Sequence, residues 1–398
     1  MSLLAGIADV GRDPGTGGYR RSAWSDADMA LREWFAGEAR QRGLALVEDG
    51  NGNQLAWWGA DPQQGHDALL LGSHLDSVPD GGAYDGPLGV VSSLAAVDAL
   101  QREGFRPARP VVVANFADEE GARFGVACAG SRLAAGVLAP ERALALRDRD
   151  GRTMAEVVRS RGRDPQAVGA AEWLTRIGTF VELHVEQGRS LVHDGAAVGV
   201  ASAIWPHGRW RFDFRGEANH AGATPMPDRH DPVQAFAATV LAARRLATAA
   251  GARATFGRLA VEPGGTNAIP SRVQAWLDSR AAGEADLAEL VAAVTAAAQG
   301  AAEQDGTSVE VVAESVSPAV SFDAGLRERL AGMLHAPVLP TGAGHDAGVL
   351  SPLLPTAMLF VRNPTGVSHA PSEFATDEDC AAGVKALTAV VRDLAGSS

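Results

Sequence analysis

Four short apolar runs, separated by stretches with helical periodicity, constrain what this chain can fold into more than any other feature. Residues 67–71 begin a strand with Leu69-Leu70-Leu71, 110–116 read PVVVANF, 180–184 read FVELH and 356–361 read TAMLFV. Between and around them, 28–42 is patterned as an amphipathic helix. Residues 90–103 place apolar side chains at 90, 91, 94, 97 and 100, and 376–394 has the spacing of a last helix. That spacing puts the apolar residues on one helical face. Helices alternating with buried, β-branched strands predict an α/β fold with a mainly parallel sheet.

Between about 205 and 321 the pattern changes. Residues 209–215 (RWRFDFR) alternate as a half-exposed strand does, and 232–248 form an Ala-rich helix. Strand-like stretches come next at 255–261 and 273–279, then a second Ala-rich helix at 284–304 and a strand at 308–313. The order β-α-β-β-α-β is that of a ferredoxin-like unit. The expected organisation is a catalytic domain over 1–206 and 322–398, interrupted by an inserted α+β domain over 207–321.

The chain of 398 residues is long enough to bury a large core without covalent staples. Its two cysteines, Cys128 and Cys380, imply no disulfide framework, and they read as packing residues in a reducing cytoplasm. The N-terminal residues show no secretion signal, and no uninterrupted apolar run is long enough to span a membrane. The formal net charge is −13, with 48 acidic residues against 35 basic ones, which argues against a nucleic-acid partner. A small anionic substrate stays compatible, because local groups dominate the field within a Debye length of about 8 Å.

The residues just beyond each apolar run are more informative. The first runs into Gly72-Ser73-His74-Leu75-Asp76, the second into Asp118-Glu119-Glu120, and the third into His184-Val185-Glu186. The fourth leads through a loop to His369. Four strands thus deliver metal-ligand residue types at their C-terminal ends, the edge where open α/β sheets bind ligands. His74 and Asp76 alternate onto one face of an extended segment, which suits a ligand and the carboxylate that orients it.

The segment from Gly72 through Asp76 to Asp85-Gly86-Pro87-Leu88-Gly89-Val90 resembles the signature of the dinuclear-zinc amidohydrolases related to aminoacylases and carboxypeptidases. More narrowly, it is similar to the branch of N-carbamoyl-L-amino-acid hydrolases, β-ureidopropionases and allantoate amidohydrolases. Further matches occur in family order: 118–125 (DEEGARFG), 182–188 (ELHVEQG), 217–226 (EANHAGATPM), 264–270 (GGTNAIP), 342–347 (GAGHDA) and 368–373 (SHAPSE).

The resemblance implies two divalent metal ions per subunit. Asp85 would bridge them, with His74 and His184 completing one site and Glu120 and His369 the other. Zinc is expected first, with manganese, cobalt or nickel also suited to imidazole and carboxylate donors. Glu119 is the expected general base and Asp76 the residue that orients His74. His220 resembles the histidine that stabilises the developing oxyanion, and Asn267 and Arg280 the pair that holds the substrate carboxylate. Gln187 is expected to contact the ureido or amide group, and His345 to support the pocket. The resemblance further implies a homodimer formed through the inserted domain, which acts as a lid and brings His220 to the partner's metal site.

The implied reaction is hydrolysis of an N-carbamoyl-L-amino acid to the amino acid, ammonia and carbon dioxide. Allantoate hydrolysis and N-acyl-amino-acid or dipeptide hydrolysis are the rival activities, and an inactive metal-binding scaffold is the non-enzymatic alternative. The intact Glu119 and complete ligand set argue against the scaffold. Departures from the family pattern occur at Arg189, at Ala127-Cys128-Ala129 and at 203–207. None removes a ligand.

Overall fold

The computed structural model describes residues 2–397. Met1 and Ser398, the outer ends of the expected catalytic domain, lie outside the described residues. The chain divides into two compact units. One runs up to Ala203 and resumes at Ser321, and the other is Ile204–Val320.

The first unit is built on a mixed sheet whose centre is parallel. Val111–Phe116, Ala68–His74, Ile177–Val185 and Thr356–Val361 lie side by side in that order, each parallel to its neighbour. Every residue of the Ala68–His74, Val111–Phe116 and Thr356–Val361 strands is buried. Parallel strands covered on both faces read as continuous apolar runs for this reason. The helices Pro87–Arg102 and Asp377–Ala395 supply part of the cover. Leu88, Ala96, Leu100, Leu387, Val390 and Val391 pack with Leu69, Leu71, Val111, Val181 and Leu359. Cys380 belongs to this core, and both cysteines are buried free thiols.

Antiparallel strands flank the parallel centre: Gln54–Trp58 on Val111–Phe116, Ala45–Glu48 beyond it, and Val198–Ile204 on the other side of Thr356–Val361. The sequence patterning did not reveal these three. Two are only four and five residues long, and Val198–Ile204 contains Gly199, Ala201, Ala203 and Ser202, residues with little strand preference.

In the second unit a four-stranded antiparallel sheet is ordered Ser308–Ser317, His207–Arg215, Arg272–Arg280, Arg253–Glu262. The helices Pro232–Ala249 and Glu284–Gln304 contribute to one core with it. Strand alternation divides the sheet by chemistry. Trp210, Phe212, Phe214, Val273, Ala275 and Leu277 enter the helix-covered core. Arg211, Asp213, Arg215, Arg272 and Gln274 form a polar network centred on buried Asp213, with Arg272 binding its carboxylate at 2.8 and 2.6 Å. The four sheet strands and two helices follow the β-α-β-β-α-β order read from the sequence. No described helix is long and apolar enough to cross a membrane.

Candidate metal centre and active site

The register of the parallel strands brings the chemistry to one edge. His74 ends its strand opposite Phe116, after which the chain turns into Asp118-Glu119-Glu120. His184 lies opposite Phe360 on the other side of the sheet centre. Asp85 comes from the segment that starts the Pro87–Arg102 helix, where Gly86 takes a left-handed φ of 82°. A Cβ added at Gly86 would overlap the His74 ring, so glycine is required there both for backbone conformation and for space.

Two groups result, and they share one residue. Potential ligand atoms of His74, Asp85 and His184 lie within 4.8 Å of one another, and so do those of Asp85, Glu120 and His369. The two oxygens of Asp85 face different partners. Oδ1 is 3.1 Å from His184 Nε2 and 3.6 Å from His74 Nε2, while Oδ2 is 3.3 Å from His369 Nε2. His369 Nε2 is also 3.6 Å from Glu120 Oε2.

Surrounding acceptors orient two of the imidazoles. His74 Nδ1 lies 3.1 Å from the Asp76 carbonyl oxygen and 3.5 Å from its carboxylate, and His184 Nδ1 lies 2.9 Å from the Val185 carbonyl oxygen. Acceptors at Nδ1 hold the proton there and turn the Nε2 lone pair towards Asp85. His74 Nε2 is buried and makes no hydrogen bond. Leaving a buried polar atom unpaired costs about 1–3 kcal/mol, and a divalent cation between these donors would remove that cost. Two imidazoles with a carboxylate, and one imidazole with two carboxylates, are donor sets that suit zinc or a similar ion. The residues fit the expected metal pair.

The electrostatics have the same origin. Burial pushes the Asp85 carboxyl up, but His184, His369 and His74 outweigh it and hold Asp85 well below the ordinary carboxylate range. For His74, burial favours the neutral ring, yet Glu119 and Asp76 raise it well above its usual value. A hydrogen bond to Asp85 raises His369 to about 9, against its burial. Burial and Asp85 push Glu120 up to about 7.

Glu119 stands beside His74 and belongs to neither group. Its Oε2 is 3.6 Å from His74 Nε2, and its Oε1 accepts from the Cys128 thiol at 3.3 Å. Burial is the main force raising its pKa, with His74 opposing. Asp76 positions this segment as well as His74: Oδ1 accepts from the Glu119 N–H and Oδ2 from the Glu120 N–H, both at 3.1 Å. Asp118 and Cys128 adopt left-handed φ values of 53° and 54°, and His369 another of 56°. Such conformations cost energy in non-glycine residues and cluster at functional sites.

Gln187 donates from Nε2 to Asp85 Oδ2 at 2.8 Å and to Ser368 Oγ at 3.1 Å, leaving its Oε1 buried without a hydrogen bond. His345 is buried, its ring centroid 4.5 Å from that of His184. Burial and His184 depress its pKa well below the usual value. Sequence reasoning did not single out the polar layer beneath. Glu182 accepts from Ser73 Oγ at 2.8 Å and from the Ala347 N–H at 2.9 Å, while Asp346 accepts from Ser131 Oγ at 2.5 Å. Ser368 and Glu373 were also unassigned, although both lie in the 368–373 motif. Glu182 is two strand residues before His184 and therefore on the same face, which is the signal that could have found it.

In the second unit the structure brings His220 and Asn267 together on paired segments, and Arg280 ends a different strand. The short strand Asn219–His220 pairs with Ala268–Ile269, and Asn267 accepts from the Ala221 N–H through its backbone oxygen at 3.0 Å. His220 Nδ1 accepts from the N–H groups of Gly222 and Ala223, each at 3.1 Å, which places the ring proton on Nε2 as a donor. Arg280 pairs with Asp278 through two hydrogen bonds of 2.9 and 3.2 Å. The nine-residue strand Arg272–Arg280 is roughly 25 Å long at about 3.3 Å per residue. In the chain, Asn219–His220 follows the Arg215 end of one strand and Asn267 precedes the Arg272 end of its neighbour, and Arg215 lies opposite Arg272.

Residues 70–393 match the peptidase family M20/M25/M40, a metal-dependent family. The chain is 37% identical to an N-carbamoyl-L-amino acid amidohydrolase of Geobacillus stearothermophilus, with 98% of this chain and 97% of that one covered. It is 31% identical to an allantoate amidohydrolase of Bacillus subtilis, with coverage of 94% and 90%. Among solved structures, a hydantoinase/carbamoylase family amidase from Burkholderia vietnamiensis superposes with a TM-score of 0.87 at 30% identity, covering 99% of this chain and 96% of that one. The chain belongs to the peptidase family M20/M25/M40 and is an amidohydrolase of that family.

Proposed function

We propose that this protein hydrolyses N-carbamoyl-L-amino acids with two divalent metal ions. His74, Asp85 and His184 would hold one ion, and Asp85, Glu120 and His369 the other. The observation that carries this reading is that Asp85 directs one oxygen into each histidine–carboxylate group while Glu119 lies beside His74 without joining either group.

When bound, such ions supply Lewis acidity that polarises a carbonyl and makes water more acidic. Glu119 takes a proton from the attacking water and passes one to the departing nitrogen. Water adds at the ureido carbon, the bond to the amino-acid nitrogen breaks, and the released carbamic acid yields ammonia and carbon dioxide. Gln187 Oε1, an acceptor fixed by the hydrogen bonds its NH2 group makes, suits the N–H donors of a ureido group better than the methyl of an acetyl group. His345 supports His184 as a buried ring packed against it.

The motifs around His220, Asn267 and Arg280 support oxyanion and carboxylate contacts for these residues. A carbamoyl amino acid is far shorter than the strand that separates Arg280 from the His220–Asn267 pair. Contribution of Arg280 by one chain and of His220 with Asn267 by another would bring all three to one substrate, and this is the homodimer through the second unit that the motifs imply. Mixing inactive H220A with inactive E119Q under conditions that exchange subunits is therefore expected to restore activity, because the hybrid contains one intact composite site. Absence of recovery in a demonstrated hybrid would count against the shared site. Two free buried thiols fit a reducing compartment, and we place the protein in the cytoplasm.

Allantoate is the second reading, favoured by the match to the Bacillus subtilis enzyme over 94% of this chain. Steady-state kinetics on carbamoyl amino acids, β-ureidopropionate, allantoate and acetyl amino acids decide between them. The highest kcat/KM is expected on a carbamoyl-L-amino acid. Preference for allantoate would select the second reading, and preference for acetyl substrates would refute both.

A further inference from the structure

We propose that Glu373 is a positioning residue that locks the Asp85 segment and the Ser368–His369 loop into the arrangement two ions require, without touching an ion itself. The inference rests on the two-ion reading and extends it to a residue outside both ligand groups. Glu373 is 4% exposed and uses both carboxylate oxygens. Oε1 accepts from the N–H groups of Tyr84 and Asp85, each at 2.9 Å, and Oε2 lies 3.2 Å from Ser368 Oγ. The same hydroxyl is 3.0 Å from Asp85 Oδ2 and accepts from Gln187 Nε2. Ser368 has one proton to share between the two carboxylates, so Glu373, Ser368 and Asp85 form a closed loop of contacts around the shared ligand.

The surroundings hold Glu373 in that role. A Cβ added at Gly82 would overlap its side chain, so the glycine leaves the space it occupies. Its neighbour Phe374 packs edge-on against Tyr84, with ring centroids 6.2 Å apart. Thr376 then caps the Asp377–Ala395 helix by accepting from the Asp379 N–H. Glu373 thus ties a helix-anchored segment to the backbone of Asp85. On the other side it steadies the loop in which His369 holds its left-handed φ. Outer partners of this kind set ligand orientation, and their loss commonly costs 10–100-fold in metal affinity.

The test is titration of the metal-free protein with Zn2+ alone, read by competition with a chromophoric chelator, for wild type, E373A, E373D and E373Q. Melting of each metal-free variant is followed in parallel. E373A removes the contacts, and E373D is one methylene too short to reach both Asp85 N–H and Ser368. Both are expected to lose 10–100-fold in Zn2+ affinity while the metal-free fold still melts cooperatively. E373Q should stay close to wild type, since its amide oxygen can accept from Tyr84 and Asp85 while its NH2 donates to Ser368. If E373A fails to fold, E373D carries the test, because it keeps the carboxylate and most of the volume. Wild-type affinity in the folded short-chain variants overturns the proposal. An equal loss in E373Q also overturns it, by assigning the effect to charge. A wild-type protein that binds fewer than two ions would instead refute the two-ion reading.

Discussion

Glu119→Gln is expected to lower kcat by about 10²- to 10⁴-fold, the usual contribution of a general base, while leaving both metal ions bound. The asymmetry comes from geometry. Glu119 is in neither ligand group, so replacing one carboxylate oxygen by NH2 removes no donor. Its backbone is held independently of its side chain, by Asp76 Oδ1 at its N–H and by the Cys128 N–H at its carbonyl, the latter at 2.6 Å. The glutamine keeps the volume of the glutamate in a buried position. Metal analysis and turnover should therefore separate, with two equivalents retained and the rate lost. Near-normal turnover would refute the base assignment. Loss of metal together with rate would place Glu119 among the ligands.

How far such a site can be read from sequence depends on whether a contact is local. Thr356–Val361 and Glu284–Gln304 have in the structure the same bounds that their patterns predicted, because burial imposes its own periodicity. The strand expected to begin over 67–71 runs as Ala68–His74. Ladder pairing keeps Gly72-Ser73-His74 extended although none is a typical strand residue, and Gly72 is needed because a Cβ there would overlap the Ala114 backbone. Periodicity also placed His74, His184 and Glu119 at one edge, since the C-terminal ends of parallel strands coincide.

Asp85 was different. Nothing in its own periodicity marks it, and only the motif around it named it as the shared residue. Contacts such as Glu373 with Asp85 join positions 288 residues apart, and no local pattern encodes them. The Arg280–Asp278 pair shows the opposite case. Residues two apart on a strand share a face, so this pairing was available from the sequence, although the motif drew attention to Arg280 as a substrate anchor.

Asp85→Ala is expected to have the largest effect on metal content, because one substitution removes a donor from both groups. Wild type should bind two equivalents of Zn2+, His369→Ala one tightly bound equivalent, and Asp85→Ala neither at wild-type affinity, as measured by equilibrium dialysis and metal analysis. The ordering depends on Asp85 presenting Oδ1 to His74 and His184 and Oδ2 to His369. Two tight equivalents in Asp85→Ala would show that it bridges nothing. The same carboxylate sets the pH dependence of loading. In the metal-free protein it favours the protonated form of His184 and His369, and Glu119 with Asp76 does so for His74. An ion can bind these rings only after the protons leave. Binding must therefore release protons and weaken as pH falls, by about tenfold per pH unit for each proton released. Calorimetry in buffers of different ionisation enthalpy counts those protons, and affinity independent of pH from 6 to 8 would mean that the histidines are not the donors.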